Sequence, residues 1–242
     1  MTQSRHQRDV SVCRLLSNGT ILRNFILDEF RIHQWFNREM DYLCTIDYCC
    51  FPEFKEIHFS DQPLRSMCIP NAGGASEISE ALSMQYMNYL FGVTEFIPER
   101  EVDYWIEYKM CDYLMQLKDF NVGVSVTRAV LYPFQTEFTY DHAVALLKRK
   151  LYGLIIARNT VNLRHQFFKS ILHIWCYSEL TAINLRKAYQ DLVNDDANKT
   201  YATIYVICSI CSNQYIYTNR VENGDKGGDV KNKSPTHVHL TR

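Results

Sequence analysis

The stretch VDYWIEYKMCDYLMQLKDFNVGVSVTRAVLY, residues 102–132, decides the fold class of this chain. Apolar and polar side chains alternate along residues 102–117 and again along residues 122–132, and a period of two is typical of a half-buried β-strand. Residues 118–121 between the two segments are mostly polar and are few enough for a hairpin loop. We therefore expect two adjacent antiparallel strands.

The flanking sequence predicts further helices and strands in mixed order. Helical spacing of apolar residues predicts helices over residues 21–36, 76–90, 140–157 and 179–193. Apolar β-rich segments predict strands over residues 170–176, 201–211 and 215–218. Residues 42–59 have no clear period, and we expect them to be irregular. Helices interspersed with strands indicate an α/β fold, in which a mixed central β-sheet is flanked by helices.

Composition divides the chain into three regions. Residues 1–70 are predicted to form an N-terminal helical and irregular extension that packs on the core, and residues 71–219 to form the α/β core domain. Residues 220–242 contain almost no apolar side chains, so we expect a disordered tail. One core domain is the simplest expectation for 242 residues of which 47% are hydrophobic.

Charge and cysteine content limit the class of protein. The formal net charge of −1 excludes a global attraction to nucleic acid or to an anionic membrane, so either kind of binding needs a local patch. The nine cysteines are an odd number in apolar surroundings, which is typical of reduced thiols. The N-terminus has no signal-like apolar stretch, and we expect a cytoplasmic or nuclear protein that does not enter a membrane.

Asp112 is the most informative single position. It shares the parity of the apolar residues in the predicted ribbon, so its carboxylate needs a hydrogen bond, a counter-charge or a metal. The alternative is a bulge or a strand end that turns Asp112 to solvent.

Glu80 begins an apolar stripe on the helix predicted over residues 76–90, whereas Glu77 is placed for solvent. Capping and compensation of the helix dipole are the alternative role of both glutamates.

The succession of a helix with an early Glu, a strand ending near an Asp, a short turn, a second strand and a long helix resembles a known core. It is similar to restriction-endonuclease-like nucleases, the PD-(D/E)XK fold, over about residues 76–176. The resemblance implies one or two Mg²⁺ ions held by a helix Glu, a strand Asp and an acidic-x-Lys triplet on the second strand. In this chain Glu80 or Glu77 corresponds to the helix acid, and Asp112 to the strand acid. Glu80 and Asp112 are then the expected metal ligands.

The triplet itself departs from the family pattern. Its position falls on Ser125, Val126 and Thr127, followed by Arg128. Neither Ser125 nor Thr127 supplies the anionic ligand or the cationic Lys that the family uses. The resemblance then leaves Thr127 or Lys109 to orient the attacking water. The missing triplet favours a descendant of such nucleases that has lost catalysis.

A literal match to the triplet occurs earlier in the chain. Glu107, Tyr108 and Lys109 have the required residue types, and Asp103 shares the same predicted strand face. A site drawn from a single strand lacks the turn that brings the acids together. An exposed, charged strand face is therefore the alternative interpretation.

Residues 148–169 are locally basic, and we expect them to contact the phosphate backbone of nucleic acid. The cations assigned to this patch are Lys148, Arg149, Lys150, Arg158 and Arg164. A solvated helix face is the alternative.

Cys208 and Cys211 have the spacing of half a zinc site but lie in an apolar segment, and His173 is surrounded by apolar residues. Buried thiols and a core histidine are the expected roles.

The sequence thus leaves two functions open. One is a divergent or inactivated metal-dependent nuclease-like domain that acts on or binds nucleic acid, with Mg²⁺ as its cofactor. The other is a non-enzymatic intracellular interaction or scaffold protein, whose surface rich in Tyr and Phe binds a protein partner.

Overall fold

The computed structural model describes residues 11–15, 21–25, 43–68, 76–117, 120–132 and 136–221. This part of the chain contains eight strands: β1 (Ser11–Leu15), β2 (Ile21–Phe25), β3 (Leu43–Cys50), β4 (Phe96–Pro98), β5 (Tyr113–Leu117), β6 (Phe120–Ala129), β7 (Phe167–Cys176) and β8 (Ile204–Ile210). Its α-helices are α1 (Asp61–Met67), α2 (Glu77–Phe91), α3 (Tyr140–Thr160), α4 (Glu179–Asn194) and α5 (Gln214–Thr218).

The strands form one mixed sheet with the order β1-β2-β3-β8-β7-β6-β5-β4. The central strands β3, β8, β7 and β6 are parallel neighbours. Antiparallel strands extend the sheet on both sides, with β1 and β2 beyond β3, and β5 and β4 beyond β6. The predicted α/β fold with a mixed, helix-flanked sheet is confirmed, and so is the antiparallel pairing of β5 with β6.

Helices cover both faces of the sheet. Because side chains alternate along a strand, Ile171 and Leu172 of β7 face opposite cores. Ile171 packs in the same apolar cluster as Leu82 of α2. Leu172 packs in the second cluster with Leu147 of α3 and Leu185 of α4. The sheet therefore has α2 on one face and α3 with α4 on the other.

The two long helices on the second face begin at residues whose side chains cap the helix N-terminus. The Thr139 hydroxyl accepts from the His142 N–H, and the His142 ring accepts from the Thr139 N–H, which completes a capping box for α3. The Ser178 hydroxyl accepts from the Thr181 N–H at 3.2 Å and caps α4. These caps explain why both helices begin where the sequence predicts them.

Gly123 allows β6 to approach the side chain of Phe167 closely. A Cβ atom at Gly123 would lie 2.5 Å from the Phe167 ring, closer than real contacts allow. The interior glycine of β6 is thus required by packing, because it leaves room for an aromatic ring against the strand.

The first predicted strand is wrong over residues 102–112. β5 begins only at Tyr113, and the preceding segment folds back onto the C-terminal end of α3, where the Trp105 N–H donates to the Thr160 carbonyl at 2.8 Å. The consecutive residues Trp105 and Ile106 are both exposed. The alternation of apolar and polar residues therefore does not follow a pleat here, because hydrogen bonds to α3 take the segment off the sheet.

Three shorter predictions are also wrong. Ile21–Phe25 is a strand rather than the start of a helix, because it pairs antiparallel with β3; the remainder of that predicted helix lies outside the described residues. Residues 43–50 form β3 rather than an irregular segment, because they pair with the buried β8, and Pro52 lies beyond the strand end. Residues 215–218 are helical, and α5 ends at Asn219, which has a left-handed φ of 53°.

The cysteines with described side chains are free thiols, as the sequence predicts: Cys44, Cys49, Cys50, Cys68, Cys111, Cys176, Cys208 and Cys211. Cys208 and Cys211 are buried, as expected. None of the described helices combines the length and the apolar character needed to cross a bilayer. Of the predicted tail, residues 222–242 lie outside the described residues.

Candidate functional site

Asp112 lies at the entrance of β5, directly before Tyr113. Its backbone is fixed there, because its N–H donates to the Val124 carbonyl at 2.9 Å. Its carboxylate Oδ2 accepts from Ser125 Oγ at 2.8 Å and from the Val126 N–H at 2.5 Å. The half-buried Asp112 is therefore a strand-end residue, the alternative that the sequence left open, and its carboxylate is bound by β6.

The edge of β6 is open at Val126, because β5 begins opposite Val124. Side chains replace the missing strand at this point. The Val126 N–H is bound by Asp112, and the Val126 carbonyl accepts from Lys150 Nζ at 3.3 Å. Since Lys150 belongs to α3, an acid from before β5 and a lysine from α3 meet on the two backbone polar groups of one residue.

Glu80 approaches the same region from α2, and its side chain is only 7% exposed. Burial raises the pKa of Tyr113 well above its ordinary value, and the negative charges of Asp112 and Glu80 both add to the rise. The Tyr113 hydroxyl is hydrogen-bonded to Ser83 Oγ at 2.7 Å. Both acids that the sequence predicts therefore lie near enough to this buried hydroxyl group for their charges to affect its pKa.

Glu77 has a different setting at the start of α2. Asn219 Nδ2 donates to Glu77 Oε2 at 2.6 Å, and the Ile78 N–H donates to Asn219 Oδ1 at 2.9 Å. An amide from beyond α5 thus satisfies a donor at the N-terminus of α2. The Glu77 carboxylate holds the Asn219 amide in this capping position. The cap in turn fixes the start of α2, the helix that carries Glu80.

A chain of buried hydrogen bonds continues from Tyr113 beneath α2. Ser83 Oγ bonds to Nδ1 of His173 at 2.7 Å, and Nε2 of His173 bonds to Ser209 Oγ at 2.9 Å. Burial lowers the pKa of His173 to about 3, so the ring is neutral at physiological pH. The prediction of a hydrogen-bonded core histidine is confirmed.

Asp47 of β3 is at the far end of this chain and is 2% exposed. Its Oδ2 accepts from the Tyr86 hydroxyl, and the Ser209 hydroxyl also bonds to its carboxylate. Among the described residues, its Oδ1 is a buried oxygen without a hydrogen-bond partner. Burial raises the pKa of Asp47 from 3.8 to about 7. Sequence reasoning missed Asp47 because β3 was expected to be irregular.

The remaining residues of the predicted active site are not gathered together. Thr127 is half-buried on β6. Lys109 is exposed in the segment before β5, and its Nζ lies 5.3 Å from the centroid of the Tyr108 ring. Because this segment is not a strand, Asp103, Glu107 and Lys109 do not share a strand face.

The predicted basic residues divide by exposure. Arg158 is half-buried, and its guanidinium donates to Thr203 Oγ1 at 2.8 Å. Arg164 Nη1 lies 3.9 Å from Asp103 Oδ2, which partly offsets its charge. Besides Lys150, which binds Val126, the patch contains three exposed cations: Lys148, Arg149 and Arg164.

The donors at this site do not fit a magnesium centre of the kind that the resemblance implies. In the described part of the chain, no group of three His, Cys, Asp or Glu residues is placed to hold a metal ion. One oxygen of Asp112 already accepts two hydrogen bonds, and the Ser125 hydroxyl donates one of them. A hard divalent cation needs several free oxygen ligands, which these residues do not offer.

Comparisons with known proteins give one distant likeness. The chain is 29% identical over 167 residues to the AAC-rich mRNA clone AAC4 protein of Dictyostelium discoideum. The matched region covers 66% of this chain but 22% of that protein, so this chain spans a minor part of the relative's length. No family model matches the chain, and no solved structure matches it. The function is therefore argued from the site.

Proposed function

We propose that this chain is a nuclease-like domain that binds nucleic acid and has lost metal-dependent cleavage. The order of the core elements supports the proposal: α2 with Glu80, the β5–β6 hairpin with Asp112 at its entrance, the long helix α3, and then β7. The observation that carries it is the meeting of Asp112 and Lys150 on Val126. Asp112 corresponds to the strand acid of the resemblance, and Lys150 supplies a lysine at the second hairpin strand, although this lysine comes from α3.

The same residues argue for loss of catalysis. Where the resemblance requires an acid and a lysine on β6, the chain has Ser125 and Thr127. Ser125 donates to Asp112, so this hydroxyl supports the first acid instead of replacing the missing one. Without a second strand acid, the site lacks the negative charge that concentrates divalent cations.

The outer face of α3 provides a surface for the phosphate backbone. Lys148 and Arg149 are exposed there, and Tyr152 follows Lys148 by one helical turn with half of its surface exposed. Cations bind phosphate regardless of sequence, while an exposed aromatic ring can stack on an unpaired base. We therefore expect binding that is weakly sequence-dependent and strongly salt-dependent.

Fluorescence anisotropy with labelled single-stranded and duplex oligonucleotides tests this proposal. The double variant Lys148→Glu/Arg149→Glu should bind about tenfold or more weakly at low salt, because it removes two phosphate contacts and adds repulsion. Lys199→Glu is the matched control, because Lys199 is an exposed lysine outside the predicted basic patch. Equal binding by all three proteins, or no binding by any of them, would overturn the proposal.

A second candidate function is binding of a protein partner. Trp105, Ile106 and Leu163 are 67%, 62% and 72% exposed. The segments that carry them are joined by hydrogen bonds, since the Asn162 N–H donates to the Asp103 carbonyl at 2.9 Å. Large apolar side chains grouped at a surface are typical of protein interfaces, where Trp often contributes most of the affinity.

The protein-binding candidate predicts a different response to mutation. Trp105→Ser/Ile106→Ser should abolish capture of a specific protein from a lysate, while oligonucleotide binding stays as in the unmodified chain. The Lys148→Glu/Arg149→Glu variant should lose oligonucleotide binding and keep capture of the protein. If either variant loses both kinds of binding, the two surfaces are not separate and this candidate function is contradicted.

A further inference from the structure

His165 joins the segment before β5 to the chain that follows α3. It lies in the short helical turn Leu163–His165 between α3 and β7, and it is 6% exposed. The Asp103 N–H donates to Nδ1 of its ring at 2.8 Å. A backbone N–H can only donate, so Nδ1 carries no proton here. The ring is therefore neutral, with its proton on Nε2.

The carboxylate of Asp103 is a second possible partner for the same nitrogen. Asp103 Oδ2 lies 3.6 Å from His165 Nδ1 and 3.9 Å from Arg164 Nη1. A protonated ring can only donate from Nδ1, so it would lose the Asp103 N–H and gain a charge-assisted hydrogen bond to the Asp103 carboxylate. The two protonation states of His165 thus favour two different groups of one residue.

The charged groups around this ring come from the elements packed against it. Within the part of the chain that the structure describes, Asp103 supplies the carboxylate at ion-pair distance from the ring. Arg164, in the same turn, faces that carboxylate as well, and Arg158 of α3 donates to the Thr203 hydroxyl. β6 contributes the neutral Asn121, whose amide faces the end of the turn. Asp103 is therefore the group that responds to the charge of the ring.

We propose that His165 is a pH-sensitive switch for the surface segment that carries Trp105 and Ile106. With a neutral ring, Nδ1 holds the Asp103 N–H and the segment lies against the end of α3. With a protonated ring, Nδ1 binds the Asp103 carboxylate, the N–H loses its partner, and residues 103–106 shift. The shift is local, because the Asp103 carbonyl still accepts from the Asn162 N–H. This switch does not depend on nucleic-acid binding.

The switch acts on an exposed apolar surface. Trp105 and Ile106 are 67% and 62% exposed and follow Asp103 by two and three residues. A change in the hydrogen bond of Asp103 is therefore transmitted along a short stretch of backbone to both side chains. Acid should rearrange this surface, and neutral pH should restore it.

Hydrogen exchange of backbone amides, followed by NMR from about pH 8 to about pH 5, covers the range in which histidines change charge. After correction for the intrinsic pH dependence of exchange, protection of the Asp103 N–H should fall about five- to tenfold in acid, the factor expected for one hydrogen bond. The fall should share its midpoint with the ring resonances of His165. The Val161 N–H, which donates to the Ala157 carbonyl in α3, should keep its protection.

His165→Asn separates the switch from other effects of pH, because Asn keeps an acceptor for the Asp103 N–H and does not titrate. Protection of Asp103 in this variant should be the same at both ends of the pH range. His58→Asn removes an exposed histidine elsewhere and is the matched control, which should respond like the unmodified protein.

An acid-dependent loss of Asp103 protection that persists in His165→Asn would overturn the proposal. Protonation of His165 in the unmodified protein without that loss, or with a different midpoint, would overturn it even where the variant does not fold. Neither result depends on whether the protein binds oligonucleotides, so the test is separate from that of the proposed function.

Discussion

Raising the pH toward neutrality should destabilise this protein through Asp47. Its carboxyl group lies between β3 and α2, is 2% exposed, and has one oxygen without a partner among the described residues. Its hydrogen bonds come from the Tyr86 and Ser209 hydroxyls and from its own backbone N–H, all of which are neutral donors. Burial raises the pKa of four buried neighbours, with hydrogen bonding the larger cause for Cys208, and the charge of Asp47 adds a smaller part to each rise; none of the four is a cation: Cys49, Tyr205, Cys208 and Cys211. The neutral His173 supplies no counter-charge either.

The size of the effect follows from the shifted pKa. In the folded protein the pKa of Asp47 is about 7, against an ordinary value of 3.8. Between these values the folded state holds the proton more tightly than the unfolded state. The stabilisation is therefore complete below the ordinary pKa and is lost as the pH rises to about 7. Roughly three pH units at about 1.36 kcal/mol each give a loss on the order of 4 kcal/mol.

Urea unfolding of the unmodified protein and of Asp47→Asn, from about pH 4 to about pH 8, isolates this contribution. Asn keeps the shape and an acceptor for Tyr86 without titrating. The variant should be the more stable protein above pH 7, by about 2–4 kcal/mol after roughly 1 kcal/mol is allowed for poorer hydrogen bonds. The difference should shrink or reverse in acid.

Asp196→Asn is the control for this measurement. Asp196 is exposed and pairs with Lys199 at 2.8 Å, so its removal should change stability by less than about 1 kcal/mol at any pH. Parallel pH profiles for the unmodified protein and Asp47→Asn would refute the reasoning about Asp47.

Two further predictions, one on close packing and one on a helix cap, are tested by thermal unfolding. Gly123→Ala should destabilise by about 1–3 kcal/mol, because the new Cβ would overlap the Phe167 ring, whereas Gly153→Ala in α3 meets no atom within 4 Å and should stabilise by up to about 1 kcal/mol. Equal effects would contradict the role of close packing at β6. Asn219→Ala should lower stability by about 1 kcal/mol, because it removes the acceptor for the Ile78 N–H at the start of α2. An unchanged melting temperature would show that Asn219 is not the cap.

The sequence was sufficient to predict those helices and strands that are determined by residues close together in the chain. α3 and α4 combine N-caps with regularly spaced apolar residues, and both were predicted within three residues of their ends. The strand predicted over residues 170–176 lies within β7, which begins three residues earlier. In these elements the side-chain pattern and the tertiary packing favour the same structure.

The errors arose where distant partners decide the structure. β2 is a strand because β3 lies beside it, and a five-residue apolar segment fits either helical or strand spacing. Residues 102–112 have a strand-like pattern, but hydrogen bonds to the end of α3 hold them off the sheet. Neither partner can be recognised from the segment itself.

The candidate site was found only in part for the same reason. Asp112 and Glu80 were identified because carboxylates stand out in apolar periodic segments. Lys150 was assigned to a basic surface, since nothing in its neighbourhood on α3 indicates a contact with Val126. Asp47 was missed because its strand was not predicted, although a single acid between apolar and aromatic neighbours was the available signal.

The central claim, a nuclease-like domain that binds nucleic acid without cleaving it, is tested most directly by one paired measurement. A labelled oligonucleotide is incubated with the unmodified protein and with Asp112→Asn, in Mg²⁺ and in a chelator, and each mixture is run on a native and on a denaturing gel. We predict a retarded complex in the chelator for both proteins and intact oligonucleotide in every lane. Mg²⁺-dependent cleavage by the unmodified protein that disappears in Asp112→Asn would contradict the claim.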